Sequence, residues 1–326
     1  MRISLIFTVL NEAAALPRLL DSLAAQTRRP DEVIVCDGGS RDGTVALLRA
    51  ETRLSLRVIE SPGANISRGR NVAIAAATGD VIACADAGVR LSPDWLEKIT
   101  QPFQQESAQW VGGFFVPDPR TPFEVAMSAT VLPAVEEISA AQFLPSSRSV
   151  AFRKTAWRKT GGYPEWLDYC EDLLFDFALR DAYGPCIFAP DARVFFRPRS
   201  SLRAFYKQYY LYARGDGKAN LWLKRHVIRY ATYLIALPLL LAGIIIAPDA
   251  LRVACVVLLL IGAIAYTRSP YRRLSASWGA LTNVDRLRAA LLVPVIRMVG
   301  DVAKMIGFPV GVWWRSRHHP ISNLLL

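Results

Sequence analysis

Short β-rich apolar runs alternate with segments of helical spacing through residues 3–103, and this alternation constrains the fold more than any other feature. Residues 3–9, 32–36, 56–60 and 81–85 read as strands, and 12–26, 42–50, 66–77 and 93–103 as helices. Within 12–26, Leu16, Leu19, Leu20 and Leu23 share one helical face. Strand and helix in alternation imply a parallel sheet covered by helices on both sides. After residue 109 the pattern changes: strands are expected at 110–116, 149–152 and 194–197, with a mostly apolar helix between the first two. A helix is expected at 171–181, and an aromatic-rich amphipathic helix at 202–221.

Polar residues follow the strands, where α/β sheets bind ligands. Thr8, Asn11 and Glu12 end the first strand, and Asn11 also reads as a cap for the next helix. The second strand runs into Asp37-Gly38-Gly39-Ser40-Arg41-Asp42-Gly43-Thr44, whose glycines allow positive φ and close approach to a ligand. Arg68-Gly69-Arg70-Asn71 opens the third helix, Asp86-Ala87-Gly88 follows the fourth strand, and Glu171-Asp172 begins a later helix. No GxGxxG and no Gly-rich phosphate loop follows the first strand, which argues against a dinucleotide enzyme and a nucleotidyltransferase.

The order of these motifs, over roughly residues 2–220, resembles the family 2 glycosyltransferases of the membrane-associated, bacterial type. The resemblance implies an α/β GT-A nucleotide-sugar-binding domain with a mostly parallel sheet, and inverting transfer of one sugar. It implies that Thr8, Asn11, Glu12, Asp37, Arg70 and Asp86 face the nucleotide sugar, with Gln208 and Arg214 as further donor contacts. By the same resemblance Asp172, beside Glu171, is the general base. A carboxylate suits that role because it can take a hydroxyl proton as the new C–O bond forms. Asp86 occupies the family's Asp-x-Asp site, which holds Mg2+ or Mn2+ on the donor diphosphate, but Gly88 stands where the second carboxylate belongs. A divalent cation is still expected, shared in its electrostatic role with Arg68, Arg70, Arg90 or Arg214. The Gln-x-x-Arg-Trp of processive members is absent: Gln208 is followed by Tyr212 and then Arg214. The rival reading is a catalytically inactive, membrane-anchored nucleotide-sugar-binding or scaffold protein, suggested by Gly88.

Charge and hydropathy place the rest. The formal charge is +11, and from Lys218 onward 14 basic residues face only 3 acidic ones, so the region before it is neutral. A basic excess flanking apolar runs suits an anionic membrane surface rather than nucleic acid. The expected division is a catalytic domain at 1–222 and a membrane domain at 223–326, with spans at about 227–247 and 251–266. Lys224, Arg225 and Arg229 precede the first run, and Arg268, Arg272 and Arg273 follow the second, which puts both ends and the catalytic domain in the cytoplasm. The expected location is therefore the plasma (inner) membrane, multi-pass, with a lipid-linked or saccharide acceptor and membrane lipids as partners. Residues 289–314 are apolar but carry Arg297, Asp301 and Lys304 on one face, so an interfacial or re-entrant helix is favoured there over a third span. The five cysteines form no CxxC pair and are expected as free thiols. Residues 1–10 lack a cleavage site and read as a strand, not a signal peptide.

Overall fold

The computed structural model describes residues 1–320, which fall into two compact units. The first comprises Met1–Asp118 and Val135–Arg197, and the second comprises Pro119–Ala134 with the described residues from Pro198 onward.

In the first unit the chain runs β1 (Ile3–Val9), α1 (Leu16–Ala24), β2 (Glu32–Asp37), α2 (Thr44–Ala50), β3 (Leu56–Glu60), α3 (Ile66–Ala76) and β4 (Val81–Ala85). After β5 (Val89–Leu91), α4 (Trp95–Thr100) and β6 (Trp110–Pro117), it departs for α5 (Pro122–Val131) of the second unit. It returns with β7 (Ser149–Arg153), α6 (Lys154–Thr160), α7 (Glu171–Tyr183) and β8 (Ile187–Phe196). One eight-stranded sheet results, in the order β3-β2-β1-β4-β7-β6-β8-β5. The pairs β3-β2, β2-β1, β1-β4 and β6-β8 are parallel, while β7 pairs antiparallel with β4 and β6, and β5 with β8. The sheet is thus mixed, with its parallel half where the alternation predicted it.

Both faces are covered, so the central strands are mostly apolar. Leu5, Phe7 and Val9 of β1 face the leucines of α1 with Trp95 and Leu96 of α4. Ile6 faces the other way, into a core with Ala73 and Ile74 of α3 and Phe175 of α7.

Three expectations need correction. The first helix starts at Leu16 rather than residue 12, because the amides of Asn11, Glu12 and Ala13 bond to the side chains of Ser40, Thr44 and Asp42. Asn11 is no helix cap: it sits at φ 57, and its Oδ1 accepts from the Arg41 amide at 2.8 Å. The last strand begins at Ile187, where pairing with β6 overrides the turn signal of Pro190-Asp191.

The second unit is helical: α5, then α8 (Leu202–Ala219), α9 (Leu223–Ala231), α10 (Leu237–Ile246), α11 (Asp249–Ala276) and α12 (Asn283–His318). A π-turn at Thr232–Ala236 joins α9 to α10, so Leu223–Ile246 runs as one 24-residue helix. That helix and α11 are long and apolar enough to cross a membrane, and almost none of their apolar surface is covered. By contrast α12 buries one face: Ala289, Val293 and Ile296 pack with Ala126 and Met127 of α5 and Phe205 of α8. Further along, α12 and α8 meet along a glycine seam. A Cβ on Gly307 would lie 2.2 Å from the Tyr210 carbonyl oxygen, one on Gly311 2.1 Å from that of Arg214, and one on Gly217 2.3 Å from that of Phe308. Only glycine lets the two backbones approach so closely. The charged stripe on α12 also has partners: Arg229 Nε lies 2.7 Å from Asp301 Oδ1, and the Tyr266 and Tyr233 hydroxyls donate to Asp301 Oδ2 at 2.6 and 3.2 Å. The five cysteines are free, all but Cys170 buried.

Candidate active site

Parallel register brings the ends of β1, β2 and β4 to one edge of the sheet: Val9 pairs with Asp37, and Ile6 with Cys84. Thr8, Asp37 and Asp86 therefore line one crevice, where the strand order passes from β2 through β1 to β4. The β1 and β2 loops are tied together. Asp37, 2% exposed, accepts from the Gly39 and Ser40 amides at 2.8 and 3.0 Å, which closes its own turn. Glu12 donates its amide to Thr44 Oγ1 at 2.9 Å, and Thr44 in turn donates to Asp42. The half-buried Thr8 packs on α3, where a Cβ on Gly69 would lie 2.9 Å from the Thr8 methyl carbon. Any bulkier residue at 69 would force Thr8 or α3 to shift.

From α3, Arg70 reaches into the same crevice, 2% exposed. Its Nη1 donates to Glu171 Oε1 at 2.6 Å and its Nη2 to Asp86 Oδ1 at 3.0 Å. One guanidinium thus joins carboxylates 85 positions apart in sequence. It also lies over the Tyr163 ring, 5.2 Å from its centroid. The segment leading to Glu171 is fastened to α3 by side chains. Asn71 Nδ2 donates to the Tyr163 carbonyl at 2.8 Å and to Glu165 Oε1 at 3.0 Å, and Asn71 Oδ1 accepts from the Tyr163 amide at 3.0 Å. Ser67 donates to the Leu167 carbonyl at 2.8 Å, and Asn65 to that of Glu165 at 2.7 Å. Gly162 must be glycine, since it sits at φ 75 and a Cβ would fall 2.5 Å from Trp157 Nε1.

At the start of α7, Glu171 and Asp172 follow Cys170, which is held at φ 66. Burial pushes Glu171 up to about 7, helped by the Asp172 charge and opposed by Arg70. Burial also raises Asp172, against the pull of Arg70 and Arg148. One turn on, Asp176 is 3% exposed, its Oδ2 has no hydrogen-bond partner among the described residues, and burial raises it well above the carboxylate range.

Sequence reasoning missed three contributors. Asp176 was visible as the i+4 neighbour of Asp172. Asn71 was quoted only as part of a motif. Arg148 gave no local signal: the antiparallel pairing of Ala85 with Ser149 brings it beside Asp86, its Nε 3.5 Å from Asp86 Oδ2. Of the arginines expected to share a cation's role, only Arg70 contacts Asp86 among the described residues of this unit. Arg90 instead stacks on Phe195 at 4.1 Å, and Arg68 is exposed on the first turn of α3. Gln208 and Arg214 lie on α8 of the second unit, where Gln208 Nε2 donates to the Tyr212 hydroxyl at 2.7 Å.

Among the described residues no group of three or more His, Cys, Asp or Glu side chains could hold a metal ion. The crevice offers Asp86, its side chain 27% exposed, and nothing from residue 88. A single part-exposed carboxylate suits a hard cation that also takes oxygens from a diphosphate.

Residues 4–159 match the family described as Glycosyl transferase family 2. Over 185 residues the chain is 26% identical to the O-antigen chain rhamnosyltransferase RfbN of Salmonella typhimurium, covering 53% of this chain and 59% of that one. The chain therefore spans less than two thirds of that relative's length. Glycosyltransferase AglE of Haloferax volcanii is 25% identical over 244 residues, 72% of this chain and 79% of AglE. Among solved structures, the mannosyltransferase PcManGT from Pyrobaculum calidifontis, in complex with GDP-Man and Mn2+, has a TM-score of 0.56 at 16% identity, covering 98% of this chain and 87% of its own. At that identity the likeness speaks to the fold alone, and the fold is GT-A.

Proposed function

We propose, from the match of residues 4–159 to glycosyl transferase family 2, that the chain moves one sugar from a nucleotide-sugar donor to a hydroxyl of a lipid-linked or membrane-proximal saccharide acceptor, with inversion. The observation that carries the reading is the Arg70 guanidinium, which binds Asp86 on the donor side and Glu171 on the acceptor side, with Asp172 adjacent. In this reading Asp172 takes the acceptor hydroxyl proton as that oxygen attacks the anomeric carbon. The bond from that carbon to the diphosphate breaks on the opposite face, and the nucleoside diphosphate leaves with the bonding pair. Thr8, Asn11, Glu12 and Asp37 shape the nucleotide end. Arg70 and Glu171 position the two carboxylates that touch substrate. Mg2+ or Mn2+, bound with the donor at Asp86, would neutralise charge on the leaving group.

The apolar helix pair supports the choice of acceptor. Leu234, Ile235, Leu239, Ile245, Leu251 and Val253 are each more than half exposed. A contiguous apolar surface of that kind calls for lipid or a partner. The basic residues at both ends of the helix pair fit a cytoplasmic face, and so an inner-membrane enzyme whose catalytic unit is cytoplasmic.

The test is nucleotide release by the detergent-purified chain, with UDP-, GDP- and dTDP-sugars and membrane lipid extract, beside Asp172→Asn. Release from one donor, lost in the variant while nucleotide binding persists, is the expected result. Equal release by Asp172→Asn would overturn the assignment of the base. Nucleotide binding without release from any donor would favour the inactive scaffold, with Gly88 as the reason.

A further inference from the structure

We infer that Arg148 binds the donor diphosphate, and that it fills with a fixed guanidinium part of the role the missing carboxylate at position 88 would otherwise give to a metal ion. This rests on the nucleotide-sugar reading above and names a residue outside the motifs quoted for it.

A diphosphate entering the crevice meets Asp86, Glu171 and Asp172, so it needs local positive charge. Two guanidinium groups face Asp86, and they are not equivalent. Arg70 has a side chain only 3% exposed, with its two terminal nitrogens engaged by Glu171 and Asp86. It is enclosed within the scaffold and cannot reach a ligand without abandoning a buried carboxylate. Arg148 lies at the rim, its side chain 26% exposed and its Nε 3.5 Å from Asp86 Oδ2. Its guanidinium is held in place by two aromatic rings, 5.2 Å from the Phe196 centroid and 5.8 Å from that of Phe115. A planar fork oriented in advance by stacking loses little freedom on gripping phosphate oxygens, which it matches two at a time. Space is available on the same side: a Cβ on Gly88 would have no atom within 4 Å. The register fixes the arrangement, because β4 and β7 pair up to Ala85 and Ser149 and so deliver residues 86 and 148 side by side.

The experiment compares affinities for uridine, guanosine and thymidine 5′-diphosphate with those for the parent nucleosides, by titration calorimetry on the full detergent-purified chain, with EDTA and with Mn2+. Wild type should bind one diphosphate more tightly than its nucleoside. Arg148→Gln should shrink that gap about tenfold or more in EDTA, and less in Mn2+, while leaving nucleoside affinity unchanged. Unchanged nucleoside affinity also reports an intact fold. Arg148→Lys, which keeps the charge but not the fork, should fall between. An unchanged gap in Arg148→Gln, or equal weakening of nucleoside and diphosphate, would overturn the inference. If wild type binds no diphosphate at all, the nucleotide-sugar reading itself falls, and this inference with it.

Discussion

Replacing Arg70 by Met tests whether its guanidinium holds the two sides of the crevice together. Arg70 and Glu171 are 2% and 6% exposed, so solvent cannot replace the lost partner. The cost has two parts. The first is independent of pH: the hydrogen bonds to Glu171 and Asp86, about 1 kcal/mol each. The second depends on pH, because an orphaned Glu171 escapes by taking a proton. In the wild type Glu171 already holds its proton up to about 7, against 4.5 when unperturbed. Its contribution to folding is therefore complete below about 4.5 and is lost as pH rises through about 7. Without Arg70 the proton stays on at higher pH, at about 1.4 kcal/mol per unit above neutrality. Arg70→Met should thus cost about 2 kcal/mol near pH 5.5 and about 3.4 kcal/mol near pH 8. At roughly 2–4 °C per kcal/mol, the drop in thermal midpoint should be about 3–6 °C larger at the higher pH. Tryptophan fluorescence during thermal unfolding in detergent measures this, with Glu171→Gln in the Arg70→Met background as control. That control should remove the pH-dependent part. Equal losses at both pH values, or a pH-dependent gap that survives in the double variant, would refute the reasoning.

Other outcomes follow from the same geometry. The acid limb of the pH–rate profile should lie above the ordinary carboxylate range, because burial raises Asp172 and Glu171 and the working base is the ionised form; an acid limb within that range would contradict this. Gly88→Asp meets no atom within 4 Å of its Cβ, so its thermal midpoint should match wild type while less Mn2+ is needed for half-maximal turnover. Gly311→Ala would force a Cβ to within 2.1 Å of the Arg214 carbonyl oxygen and should cost about 3 kcal/mol of stability, read from thermal unfolding in detergent. In cell fractionation the chain should stay with membranes through carbonate extraction; release into the soluble fraction would refute the two spans.

The parallel half of the sheet was legible because β1 and β4 are mostly apolar runs with covered faces. Asp37, Asp86 and Glu171 were legible because they directly follow or begin such elements. What stayed hidden depended on pairing across distance. The first turn of α1 yielded to side chains from a loop some thirty residues away. Arg148 became visible only through antiparallel register, and Asp301 is satisfied on α12 by Arg229, Tyr233 and Tyr266 from other helices. Of the sequence's own hints, the i+4 spacing of Asp172 and Asp176 was the one most open to use.

The meeting of α8 and α12 has a consequence of its own. Most helix pairs stay together because water is driven from between them, and they loosen where water is scarce. Here peptide groups touch peptide groups across Gly217, Gly307 and Gly311, and the cohesion comes from matched shape and dispersion. Such a joint is indifferent to its solvent. It would hold equally in water and in hydrocarbon, which suits the membrane-proximal working place proposed above.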